Sequence, residues 1–185
     1  MNLRLFFLSI VIPLYLVLPK PYASEIVPST LEYMTDFSDT IVVGHVANNF
    51  SYWEGDKIFT RVTIEVERFV KNRNAESSSI IDLKIPGGKV GNISFEVNGA
   101  PVFEPGEKIM LFLKRGKDAY FPFGLNYGVF AISWEETREK AFINGPLFNT
   151  PKHYDISTMT ERDNLEPLGR KEFGPFLEKV KKFVK

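Results

Sequence analysis

The stretch Ile58-Phe59-Thr60-Arg61-Val62-Thr63-Ile64-Glu65-Val66-Glu67-Arg68-Phe69-Val70 decides the fold class. Ile58, Thr60, Val62, Ile64, Val66 and Val70 fall on one face of a period-two pattern, broken only by Arg68. Arg61, Thr63, Glu65, Glu67 and Lys71 alternate on the other face. Successive side chains of an extended chain point to opposite sides, so the pattern predicts a long strand with one face on a core and one in water. Strands of this length bend, as those of small barrels do.

Upstream, Thr40-Ile41-Val42-Val43-Gly44-His45-Val46 predicts a second strand, rich in β-branched residues. Its interior glycine marks a bend or a close backbone approach. Before it, Ser29 and Glu32 stand at capping-box spacing, and a short helix lays Leu31 and Met34 on the core until Ser38-Asp39 ends it. Downstream, Asn72 to Ser79 is a polar loop. Ile81, Leu83 and Ile85 then alternate with Asp82 and Lys84, and Ile93, Phe95 and Val97 alternate with Ser94 and Glu96. The glycine-rich run Pro86 to Asn92 reads as the hairpin loop joining those two strands. Asn98 to Pro101 is a further turn, and Glu104-Pro105-Gly106-Glu107 has the residue order of a type II turn.

The unbroken apolar runs Ile109 to Leu113 and Val129 to Ile132 predict strands covered on both sides. Lys140 to Ile143 follows the charged turn Glu135 to Glu139 as a last strand. Residues 145–169, with Pro146, Pro151 and Pro167, read as a meandering surface connection. Phe173, Phe176, Leu177, Val180 and Val184 then recur at helical spacing, with Pro175 in the first turn, giving an amphipathic helix over about 171–184. The expected fold is mainly β: six to eight antiparallel strands in a small, OB-like, partly open barrel, with a short N-terminal helix and a C-terminal amphipathic helix.

Residues 1–24 have the three parts of a secretory signal. Arg4 is the positive start, Leu5 to Leu18 are apolar, and Pro19 to Ser24 form a helix-breaking exit that ends in small residues. Fourteen apolar residues span roughly 21 Å as a helix, short of the roughly 30 Å hydrocarbon core. The alternative is an uncleaved anchor. Residues 25–185 are then one barrel domain, exported to the periplasm, envelope or exterior and not integral to the membrane once the signal is removed. Losing the leader removes Arg4 and Lys20 but no acid, which leaves 21 basic against 23 acidic residues. A chain of that balance is a poor partner for nucleic acid. The absence of cysteine excludes disulfides, thiolate metal sites and Cys nucleophiles.

Several segments in order resemble an uncharacterised family of exported prokaryotic β-barrel proteins. They are Asp39 to Val46, Ile58 to Glu67, Lys84-Ile85-Pro86-Gly87-Gly88, Gly99 to Glu107, and Ile109 to Leu113. Members of that family occur alone after a signal peptide or beside a matrixin-like metallopeptidase domain. The resemblance implies a barrel and export. It implies no activity, and this chain has no His-Glu-x-x-His helix.

Chemistry-bearing residues are sparse. His45 lies mid-strand, and His153 falls in the proline-rich stretch with Tyr154 and Asp155. Both lack the local signature of a hydrolytic triad. The pairs Glu65/Glu67, Glu104/Glu107 and Glu135/Glu136 read as solvated charges, and Asp155, Glu161 and Asp163 match no calcium loop. No catalytic, metal or cofactor residue is assigned. Two aromatic clusters remain as places where a partner would bind: Phe50, Tyr52 and Trp53 in the loop before the long strand, and Tyr120, Phe121 and Phe123 further on. The competing reading of both clusters is a small core under the loops. The favoured function is a non-catalytic module that binds a protein or cell-envelope component. The alternatives are an envelope hydrolase with an unrecognised acid–base site and an inhibitor-like barrel seated in a protease cleft.

Overall fold

The computed structural model describes residues 30–145 and 170–184. The leader, Ser29 and residues 146–169, with His153, Tyr154, Asp155, Glu161 and Asp163, lie outside the described residues. The chain is mainly β. Helix α1 (Leu31–Phe37) leads into strands β1 (Thr40–Glu54), β2 (Lys57–Asn72) and β3 (Ile80–Pro86). Then come β4 (Gly88–Val90), β5 (Ile93–Phe95), β6 (Lys108–Arg115) and β7 (Tyr120–Pro122). Strands β8 (Val129–Glu135), β9 (Lys140–Asn144) and β10 (Lys171–Glu172) precede helix α2 (Phe173–Phe183).

Eight of these strands form one sheet in the order β1-β2-β3-β7-β6-β8-β9-β10, and β1 pairs with β6 as well as with β2. Strands β1, β2, β3, β7 and β6 therefore partly close into a ring. The closing contact is a short parallel pairing of β3 and β7 at Leu83 and Tyr120. The β1–β2 register shifts at Ile41/Val42, Val43/Gly44 and Val46/Asn48, with the extra residue on β2 at Val70 and Glu67 and on β1 at Ala47. Such irregularities bend and twist a long strand, as ring closure requires. Gly44 sits where β1 crosses β2. An added Cβ there would overlap the Glu65 carbonyl oxygen and lie 3.1 Å from its carbon, so the interior glycine does mark a close backbone approach.

Two apolar layers hold the fold. Val42, Val46, Val62, Ile64, Leu83, Leu111, Leu113 and Tyr120 fill the ring interior. Ile41, Val43, Met110 and Phe112 point outward from the same strands, onto Met34 of α1, Phe130 and Ile143 of β8 and β9, and Phe176, Leu177 and Val180 of α2. Burial on both sides is the reason β6 is an unbroken apolar run. The parallel expectation for Val129 to Ile132 is corrected: Ala131 is exposed and Ile132 half-buried, because β8 is covered on one side only.

Other differences are local. The cap of α1 is Thr30, whose hydroxyl accepts from the Tyr33 amide at 3.1 Å. The stretch Pro86 to Asn92 does not join β3 to a sheet neighbour. Instead β4 and β5 pair with each other as a separate two-stranded flap, and both Ile93 and Phe95 are exposed. Lys71 is not on the water face; it is 4% exposed, and its ammonium donates to the Thr35 and Asp36 carbonyls at the end of α1. Among the described residues no helix is long and apolar enough to cross a membrane.

Candidate functional site on the β1–β2 hairpin

Strand β1 does not stop at Val46. After the register shift at Val46/Asn48 it continues to Glu54, where Gly55-Asp56 turns the chain into β2. Gly55 has φ +63°, the positive value that a two-residue hairpin loop demands of glycine at its first central position. Phe50, Tyr52 and Trp53 are therefore strand residues, which corrects their placement in a loop. Alternation sends Phe50 and Tyr52 to the outward face and Trp53 to the other.

Pairing with β2 and β3 completes the outward face. Phe50 stands opposite Arg61, Tyr52 opposite Phe59, and Arg61 opposite Lys84. The Phe50 and Tyr52 rings lie 6.0 Å apart, and the Tyr52 and Phe59 rings 6.4 Å apart. The Arg61 guanidinium carbon is 5.7 Å from both the Phe50 and Tyr52 centroids. Lys84 Nζ sits 4.3 Å from the Phe59 centroid and also pairs with Glu54. Each such contact contributes about 0.5–1 kcal/mol at an exposed position, enough to fix side-chain orientation without burying the rings. Phe50 remains 48% exposed, while Tyr52 and Phe59 are half-buried.

The second aromatic cluster comes apart. Tyr120 is 1% exposed and belongs to the ring interior, Phe123 packs in the outer core, and only Phe121 faces solvent, opposite Lys114 on β6. The ring needs Tyr120 where β7 closes against β3. The structure thus unites Phe50 and Tyr52 on one face, leaves Trp53 exposed on the other side of the hairpin, and gives Tyr120 and Phe123 to the core. Phe59, Arg61 and Lys84 were missed as members of this face. Their signal is in the alternation: Phe59 has the same phase as Arg61 and Thr63, an aromatic on the water side of the strand.

The chain matches no known protein family, no curated protein and no solved structure.

Several titratable groups have structural partners. His45 Nδ1 lies 2.9 Å from Glu67 Oε1, and Lys108 Nζ lies 2.9 Å from Glu67 Oε2, joining β1, β2 and β6 on the barrel exterior. The hydrogen bond from Lys108 holds the Glu67 carboxyl below its ordinary value against a smaller opposing effect of burial, with the charges of Lys108 and His45 adding to it. Glu107 accepts from the Glu104 amide at 2.9 Å and closes their turn. Glu135 pairs with Arg138 and Arg170. At the start of β1, burial would raise the Asp39 carboxyl. The Arg115 amide and the Lys114 ammonium, each 3.1 Å away, outweigh it and hold the group low.

Proposed function

We propose that the chain is an exported, non-catalytic β-barrel module that binds a protein or cell-envelope component through the outward face of its β1–β2 hairpin. The observation that carries this reading is the uncovered row of Phe50, Tyr52 and Phe59 with Arg61 and Lys84 among the rings. Rings already oriented on paired strands lose little side-chain entropy on binding, and aromatic and Arg side chains carry much of the energy of protein interfaces. Export rests on the leader over residues 1–24. The five-stranded ring supports an OB-type barrel, an architecture whose sheet face and loops bind ligands. The mixed charges around the hairpin, with Lys84 paired to Glu54 and Asp82 opposite Thr63 on the same strands, argue against a nucleic-acid backbone as partner.

The test is retention from the native cell envelope on immobilised chain, beside a variant carrying Phe50→Ala and Tyr52→Ala. A component held by the native chain and lost by the variant supports the proposal. Equal retention by both moves the binding face elsewhere, and no retention by either defeats the reading.

A further inference from the structure

The inward side of the same hairpin bears a second surface. Asn49, Ser51 and Thr60 form one wall of an open cleft of about 570 Å³, the β4–β5 flap forms the opposite wall, and residues 98–104 close the end. That volume falls in the roughly 300–1,000 Å³ range of small-molecule sites.

The wall is preorganised. Ser51 Oγ and Thr60 Oγ1 are 2.9 Å apart, Thr60 Oγ1 donates to the Gly87 carbonyl at 2.8 Å, and the Lys89 amide donates to Ser51 Oγ at 3.2 Å. The flap lies directly on this pair: a Cβ on Gly88 would come within 2.9 Å of Ser51 Cβ, so glycine is needed for the approach. These hydroxyl protons are committed to holding the flap and are not offered to a ligand.

The rim has the opposite character. Lys89, Ser94, Glu96 and Asn98 line the cleft, and among the described residues their side chains make no hydrogen bond or ion pair. Between them stand two exposed apolar groups, Phe95 at 45% and Val102 at 83% exposure. The lining carries one ammonium, that of Lys89, and two carboxylates, those of Glu96 and Glu104. Such a rim has no positive field to attract phosphate or an anionic polymer. Planar amide and carboxylate groups pair well with neighbouring hydroxyls, and apolar groups beside them suit the C–H face of a sugar ring.

We propose that this cleft binds a short, uncharged oligosaccharide. The cleft lies on the other side of the hairpin from the aromatic face, and the proposal stands without it. The test is an amide-resolved NMR titration of the chain with cellotriose, maltotriose and triacetylchitotriose, with trialanine and inorganic phosphate as comparison probes. At least one trisaccharide is expected to bind in the millimolar range or tighter and to shift the Ser94, Glu96 and Asn98 resonances. Glu96→Gln and Asn98→Ala, both exposed and outside the core, are each expected to weaken binding by about tenfold. Tyr52→Ala is expected to leave it unchanged, which separates this site from the outward face. Three results overturn the proposal: no shift with any trisaccharide, shifts undiminished in the Glu96 and Asn98 variants, or tighter binding of trialanine or phosphate.

Discussion

Replacing Lys71 by Met asks whether a buried ammonium is a net support of this fold. Lys71 is 4% exposed, and its Nζ donates to the last carbonyls of α1, those of Thr35 and Asp36. Methionine keeps an apolar stem of similar length and removes only the charged donor. The buried Thr35 carbonyl then loses its ammonium partner, which costs about 1–3 kcal/mol. Loss of a cation at a helix C-terminus adds about 0.3–1 kcal/mol. Relief of burying the ammonium opposes both, and that penalty is visible in Lys71 itself, whose affinity for its proton is lowered mainly by desolvation and further by Arg73. The net expectation is a loss of about 2 kcal/mol, or a fall in Tm of about 4–8 °C for a chain of this size. Thermal and urea unfolding at neutral pH read it directly. The pH sign is also fixed. In the fold Lys71 releases its proton below the ordinary 10.5, so across that interval the unfolded chain binds more protons and this group's contribution to stability rises with pH. Lys71→Met removes that rise. An unchanged or higher Tm at neutral pH would refute the reasoning and make the ammonium a burden that packing tolerates.

Three further outcomes follow from the same contacts. Gly44→Ala is expected to destabilise by about 2 kcal/mol or more, because the added Cβ meets the backbone of Glu65 and, at 3.2 Å, Ile64 Cγ2; without that clash alanine would be neutral or stabilising, so urea midpoints decide it. Asp39 is held below its ordinary 3.8, so its stabilisation is present above that pH and lost as pH falls through the lower folded value. Asp39→Asn is expected to lower neutral-pH stability by about 1 kcal/mol and to flatten the acid limb of a Tm–pH profile; an acid limb identical to the native chain's contradicts this. Thr60→Val removes the hydroxyl that bridges Ser51 and the Gly87 carbonyl. Amide hydrogen exchange across β4 and β5 should then quicken while the ring strands keep their protection, and unchanged flap protection would show that the hydroxyl does not hold it.

The parts legible in the sequence are those where one physical demand acts alone. The alternation of β2 from Ile58 to Val66, the doubly covered run of β6 and the apolar stripe of α2 each reflect a single burial pattern; beyond Val66 the register shifts turn Phe69 to the ring interior and Val70 to the outer layer, which corrects the count that put Val70 on the face of Val62. Strand β1 was legible only to Val46. Ala47-Asn48-Asn49 has weak strand propensity, and the register shift there moves Phe50 and Tyr52 to the phase opposite the one a continuous count gives. Lys71 kept the alternation but lost its water, because α1, distant in sequence, presents carbonyls to it. The pattern Ile93, Phe95 and Val97 imitates a half-buried strand, yet Ile93 is exposed and Phe95 and Val97 line a cleft and not a core. Tyr120 reads as a surface aromatic until the parallel contact with β3 is known. In the candidate site, Phe50 and Tyr52 were visible as aromatics, while their partners Phe59, Arg61 and Lys84 needed the register of three strands.

The central claim is that the outward face of the β1–β2 hairpin meets an envelope partner. Its most direct measurement places a photo-crosslinking phenylalanine at Tyr52 in cells that express the chain, with the same group at Trp53 on the opposite side of the hairpin and at Phe121 on β7. The account predicts one discrete envelope adduct from position 52, weaker or absent at 53 and 121. Equal labelling from all three positions, or no adduct from position 52, contradicts it.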